Sequence, residues 1–513
     1  MSTEKMLTGR LRPIACLAGV TLMLCVCLES TAVAQPLAKG RLQQIQTNHR
    51  KKFRDFSNQI EKLAEFCDDK SLIEDAGFVR SRIIPPETLS LRTEKLSNKV
   101  QPEIPAGMVG DERHWKTQLR YLETAYAKDL FLQAKASVKD GFPSYAYNLI
   151  REAALHDPDN TQVRRILGFE RLKDEWITSV AASQIKKGFV WHESFGWIPK
   201  SHLQRYIDGD RYFNSRWVTP QKEGELRRDF NSAWEVRTDH YLIKTNVNLE
   251  KGVEMGKALE DFYSVFNETF AGFFHTPEQL KKLFEFTGSA SKVREPFVVH
   301  FYASRDEYLQ RMRKFFPSID QTNGVYLTSD RVAHFYYDPK QEHEGTLYHE
   351  ATHQLFFGRE NPHANRTICE NHHFWIIEGI ACYMESFQRK EGSFMLGDPT
   401  YIRFDRARYN LLHDKYYVPL REFSGYGMQE FQHAPELVKN YTQAAGLARF
   451  FMHYDNGRYR EALVSHLSQL YSINEKTRER AEGLDELTGV EFSELDRQYA
   501  DDAAEVTGQV SAR

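Results

Sequence analysis

The chain has 513 residues, a formal net charge of -3, and 41% hydrophobic, 13% aromatic and 27% charged residues. That length exceeds one hydrophobic core and implies about two to four domains. The near-neutral charge excludes a field able to gather nucleic acid, and the composition excludes a disordered or membrane-embedded chain.

Residues 1–34 stand apart. Lys5, Arg10 and Arg12 form a basic start, Ile14 to Leu28 is apolar, and Ala32-Val33-Ala34 offers small residues for cleavage before Gln35. This reads as a signal peptide, because the apolar run is shorter than the roughly 20 residues of a spanning helix. An exported protein, periplasmic or extracellular, follows, with no stable membrane insertion after cleavage. Only Cys67, Cys369 and Cys382 then remain, so at most one disulfide can form. Cys382 sits where burial is expected, and a small apolar role suits it better than a bridge to Cys369.

Residues 35–110 read as an N-terminal helical region and linker. Leu42, Ile45, Phe53, Phe56, Ile60, Leu63 and Phe66 recur at three- and four-residue steps, and Pro85, Pro86, Pro102 and Pro105 then break the pattern. Residues 111–175 resemble a tetratricopeptide unit, a helical pair with an Asp157-Pro158-Asp159-Asn160 turn before the next helix. One such unit cannot bury its own face, so either it packs on neighbouring helices or it is a generic helical hairpin. Residues 176–230 form a small tryptophan-rich region of short strands and turns around Trp176, Trp191, Trp197 and Trp217. Indoles of this kind fill a small core or, less commonly, stack on sugars at a surface.

From 231 to 513 the signal is α+β, a small sheet followed by a mainly helical subdomain. The segment 234–246 alternates as a strand, Val253 to Phe270 is an amphipathic helix, and 294–304 is a second strand, with a helix starting near Arg305. Gly324 to Tyr337 reads as a hairpin turning at Thr328-Ser329-Asp330. Beyond Gly345 helices dominate, with one loop-rich interruption from about Gly397 to Glu430 and a helical tail.

The chemistry concentrates at His349-Glu350-Ala351-Thr352-His353. On a helix, residues i and i+4 share a face, so both imidazoles reach one metal ion with Glu350 beside it. Two core histidines are the alternative. Against it stands Glu378, a carboxylate inside the apolar segment Trp375 to Glu385. Buried alone it would be costly, whereas as third ligand of a catalytic zinc it is compensated. The expected set is therefore Zn2+ held by His349, His353 and Glu378, with Glu350 as general base toward a metal-activated water. Gly379 is expected to let the two ligand-bearing helices approach closely.

His349-Glu350-x-x-His353, with Glu378 in an E-G-x-A-x-Y-x-E setting, resembles the gluzincin (peptidase MA-like) metallopeptidases of the thermolysin and aminopeptidase N type. The whole chain is more narrowly similar to an uncharacterised family of secreted bacterial proteins carrying a domain of unknown function. The resemblance implies a thermolysin/aminopeptidase-like catalytic domain, the same three zinc ligands, Glu350 as base, and a peptide or protein as substrate. It also implies an oxyanion-binding tyrosine, matched by Tyr441 at the head of YTQAAGLARFF, although a core tyrosine at a helix start is the competing reading. Glu385, seven residues after Glu378, either orients a ligand histidine or lies on the surface. The aminopeptidase segment whose glutamate holds a free amino terminus has no counterpart in Gly324-Val325-Tyr326-Leu327. An endopeptidase is therefore expected before an aminopeptidase, with strand addition along that edge aligning the peptide. The alternative is a catalytically inactive relative that binds a protein or glycan partner.

Overall fold

The computed structural model describes residues 40–86, 92–287, 295–316, 319–340, 344–358 and 368–511. The segment read as a signal peptide, 1–34, lies outside them. No described helix is long and apolar enough to cross a membrane.

Helix α1 (Arg41–Asp69) and helix α2 (Ile73–Ser81) open the described chain. The region read as a linker is not free. Strand β1 (Arg92–Glu94) pairs with a strand far along the chain, and the backbone at 98–100 bonds to that at 174–176. Helix α3 (Gly110–Lys139) turns at Gly141, φ 86°, into α4 (Pro143–His156), whose first residue is a proline that needs no partner for its missing N–H. This hairpin packs on neighbouring helices: Phe56, Ile60, Trp115, Leu130, Leu149 and Ile150 share one core with Leu280, Leu283 and Phe284. Asn160 caps the next short helix by accepting from the amides of Gln162 and Val163, as its turn sequence led one to expect.

The tryptophan-rich region is a threefold repeat of hairpin and short helix. Strands β2 (Phe169–Leu172) and β3 (Glu175–Thr178), β4 (Phe189–His192) and β5 (Gly196–Pro199), and β6 (Arg211–Phe213) and β7 (Arg216–Val218) form three separate hairpins. Helices at Ser179–Lys186, Leu203–Ile207 and Pro220–Leu226 follow them in turn. Trp176-Ile177-Thr178, Trp197-Ile198-Pro199 and Trp217-Val218-Thr219 end the hairpins at equivalent places, 21 and 20 residues apart (197 − 176 and 217 − 197). Of the four indoles only Trp176 is fully buried, while Trp191 and Trp217 lie half-buried against the main core. Arg205 covers the Trp217 ring at 4.0 Å.

A mixed five-stranded sheet follows. The stretch read as one strand is a hairpin, β8 (Trp234–Arg237) and β9 (Tyr241–Thr245). The chain turns at 238–240 because the Glu260 carboxylate accepts from the Thr238 hydroxyl and the His240 amide, both at 2.6 Å. Helix α5 (Leu249–Thr269) crosses to β10 (Phe297–Tyr302), and β11 (Gly324–Leu327) and β12 (Val332–Tyr336) complete the order β11-β12-β10-β9-β8. The three inner strands are parallel and the two outer ones antiparallel. Alternation divides the faces: Val299 and Phe301 enter the main core, while Tyr302 joins Tyr308 and Tyr336 in a smaller one.

Helix α6 (Glu344–Gly358) lies beside the edge strand β11, and α7 (Phe374–Met384) is buried at every residue. The hairpin β13 (Gln388–Lys390) and β14 (Ser393–Met395) follows, and β14 is the strand that receives β1. The interruption expected from Gly397 to Glu430 contains a regular helix, α8 (Ile402–Leu412). Helices α9 (Leu437–Gly457), α10 (Arg460–Leu470) and α11 (Phe492–Ser511) finish the chain. The protein is thus α+β, predominantly helical with small sheets.

Candidate metal centre and active site

Helix α6 carries His349, Glu350 and His353, and α7 carries Glu378. The helical spacing sets the two imidazoles edge to face, with Nε2 of His349 and Nε2 of His353 at 3.2 Å. Glu378 reaches the same point from α7, its Oε2 at 3.4 Å from His349 Nε2 and its Oε1 at 3.9 Å from His353 Nε2. One ligand atom from each of the three lies within 4.8 Å of the others, a donor set of two nitrogens and a carboxylate that suits one divalent cation. Glu378 is 8% exposed, so its charge has no recourse to bulk water.

The electrostatics match a concentration of negative charge around two rings. Burial pushes the Glu378 carboxyl up, but the adjoining His349 and His353 outweigh it and hold it below its ordinary value. Burial likewise presses the His349 imidazole down, yet hydrogen bonds with Cys382, Glu378 and Glu385 raise it well above the usual histidine range. His353 lacks that support, and burial lowers it despite Glu378.

Glu350 stands apart from the three converging groups. Its Oε2 accepts the backbone N–H of Tyr326 at 2.7 Å, which ties the carboxylate to the backbone of the edge strand β11. The Gly324 position brings that edge close: a Cβ there would sit 2.7 Å from the Phe335 ring and 3.1 Å from Thr346 of α6.

Tyr441 is not at the head of its helix. The helix begins at Leu437, so Tyr441 lies in its second turn, edge-on to Phe431 at 5.1 Å. Its phenol is raised far above normal by burial and then by the charge of Glu378. The hydroxyl has no hydrogen-bond partner among the described residues. What brings Tyr441 near Glu378 is Gly379, whose missing side chain admits the α9 backbone: a Cβ there would be 2.7 Å from the Ala444 carbonyl oxygen. The glycine thus joins α7 to the Tyr441 helix, not to the histidine helix as its sequence position suggested.

Behind the histidines, Glu385 is buried and its Oε1 lies 2.7 Å from His349 Nδ1. An ionised carboxylate only accepts, so Nδ1 donates to Glu385, which leaves Nε2 as the nitrogen facing Glu378 and His353 and the one a metal ion would take. Arg403 and Tyr401, both outside the motif segments, bind the same carboxylate. Neither carried a sequence signal, since α8 was not foreseen as an element. Cys382 is buried beside His349, and Cys67, Cys369 and Cys382 are all free thiols.

The structure therefore brings His349, His353 and Glu378 together, sets Glu350 on the edge-strand side, and leaves Tyr441 on α9, where the Glu378 charge acts on it. No protein-family model matches the chain, and no curated protein matches it either.

Proposed function

We propose that this protein is an exported zinc-dependent peptidase of the gluzincin type, with a thermolysin/aminopeptidase-like catalytic domain and an endopeptidase in preference to an aminopeptidase. One observation carries the reading. Tetrahedral zinc with ligand bonds of about 2.0–2.1 Å separates its ligand atoms by roughly 3.3 Å. The distances among His349, His353 and Glu378 are 3.2, 3.4 and 3.9 Å. A zinc ion held there would polarise the scissile carbonyl and make a water nucleophilic at neutral pH.

The chain's own groups supply the rest. Glu350 Oε2 is anchored by the Tyr326 amide. Oε1 is then the atom that takes a proton from the attacking water and returns it to the leaving amine. The Tyr441 hydroxyl, without a hydrogen-bond partner among the described residues, serves as donor to the oxygen that gains negative charge. Strand β11 is an edge strand, so an extended peptide can align along it by backbone pairing. No glutamate stands in Gly324–Leu327 to hold a free amino terminus, which favours internal bonds as substrate.

The test is Glu350→Gln in the purified protein with a mixed peptide library. The reading expects metal-dependent cleavage by the wild type, abolished in the variant with zinc still bound. Cleavage that persists in the variant excludes Glu350 as the base.

A further inference from the structure

Glu385 is the most fully engaged carboxylate near the centre. Oε1 receives His349 Nδ1 at 2.7 Å and Arg403 Nη2 at 2.9 Å; Oε2 receives the Tyr401 hydroxyl at 3.0 Å and Arg403 Nε. Those four donors match the roughly four acceptor sites of an ionised carboxylate. The planar guanidinium spans both oxygens, so it fixes the carboxylate's orientation as well as its charge. The Glu385 side chain is 7% exposed and that of Arg403 34%, so the pair closes the inner end of the site while the arginine reaches the surface. Gly345 in the first turn of α6 packs against this arrangement: a Cβ there would make ordinary contacts, 3.6 Å from the Tyr401 hydroxyl and 3.9 Å from Glu385 Cβ.

We propose that Arg403 is a positioning residue for the metal centre, acting through Glu385 to hold the His349 ring with its Nε2 aimed between His353 and Glu378. The role rests on the zinc reading above. The physical reason is that a buried Glu385 without Arg403 would carry an uncompensated charge and be freer to rotate, and rotation would carry the His349 ring and its ligand nitrogen out of line. Arg403, bonded to both carboxylate oxygens, blocks that rotation. It also cancels the Glu385 charge, so the outer carboxylate adds orientation without adding net negative charge to the centre.

The experiment measures zinc affinity by competition with a chelator for wild type, Arg403→Ala, Arg403→Lys, Glu385→Gln and the Arg403→Ala/Glu385→Gln double variant. The expected result is about a 10- to 100-fold weaker affinity for Arg403→Ala. Lysine restores only part of the loss, because it supplies charge without the fork. The double variant binds within about twofold of Glu385→Gln alone, as residues acting in series require. Undiminished zinc affinity in Arg403→Ala, or losses that multiply fully in the double variant, overturn the role. Should Arg403→Ala fail to fold, Arg403→Lys completes the same cycle with Glu385→Gln. A wild type that binds no zinc overturns the metal reading and this role together, whereas tight zinc in wild type and Arg403→Ala alike overturns this role alone.

Discussion

Replacing Gly379 by alanine sets two effects against each other. In an isolated helix the change gains about 1 kcal/mol, because glycine is the poorer helix former. In the folded protein the new Cβ falls 2.7 Å from the Ala444 carbonyl oxygen, 3.1 Å from its carbon and 3.4 Å from its Cβ. Restoring ordinary contact at 3.4 Å requires the backbones of α7 and α9 to part by about 0.7 Å (3.4 − 2.7). The obstacle is main chain, so no side-chain rotation relieves it. Overpacking of this kind costs ~1–3 kcal/mol, to which the lost contacts along a fully buried helix add. The clash wins, and Gly379→Ala is expected to destabilise the protein by about 1–2 kcal/mol net. Urea unfolding followed by tryptophan fluorescence reads this as a lower midpoint with an unchanged slope. A neutral or stabilised variant would refute the packing argument, and with it the account of why Tyr441 stands near Glu378.

Three further outcomes follow from the same contacts. Glu461, buried in α10 and accepting the Ser144 amide of α4 at 2.8 Å, is raised by burial from 4.5 to about 7. Because its folded value exceeds the unfolded one, its contribution to stability is full below about pH 4.5 and is lost as pH rises through about 7. Glu461→Gln should therefore gain on the wild type by on the order of 3 kcal/mol between pH 4.5 and 8, and parallel unfolding curves across that range would contradict it. Trp176, 1% exposed with its indole N–H on Asp159 at 2.9 Å, should cost ~3–5 kcal/mol when changed to alanine, while the half-buried Trp191 costs clearly less by the same denaturant assay. Tyr441→Phe should lower kcat about 100- to 1000-fold with KM and zinc content little changed, whereas an equal loss of zinc would make its role structural.

The approach of His349 and His353 was legible because helical spacing is local information: i and i+4 share a face whatever surrounds them. Glu378 was legible as an anomaly, a carboxylate in an apolar run. The hairpin at Gly324–Tyr337 and the helical front were equally visible in their periodicity. Two kinds of feature were not. The 238–240 turn depends on Glu260, a residue two elements away, and α8 is amphipathic through Phe404 and Ala407 within a segment whose glycines and aromatics read as loop. The contacts of Arg403 and Tyr401 with Glu385 span 18 and 16 residues across two strands, which no local pattern encodes. The threefold repeat did leave a trace in the recurring tryptophan tripeptides, but its period becomes apparent only once the hairpins align them. Gly379 shows the limit most sharply: its sequence position indicated a close approach, and only the fold revealed that the neighbour is α9.

The central claim is that His349, His353 and Glu378 hold one zinc ion, and the metal content of purified protein tests it most directly. Wild type is expected to carry close to one equivalent of zinc after dialysis, and Glu378→Ala and His353→Ala to lose it while remaining folded. A zinc-free wild type, or a Glu378→Ala protein that keeps its zinc undiminished, would contradict the account.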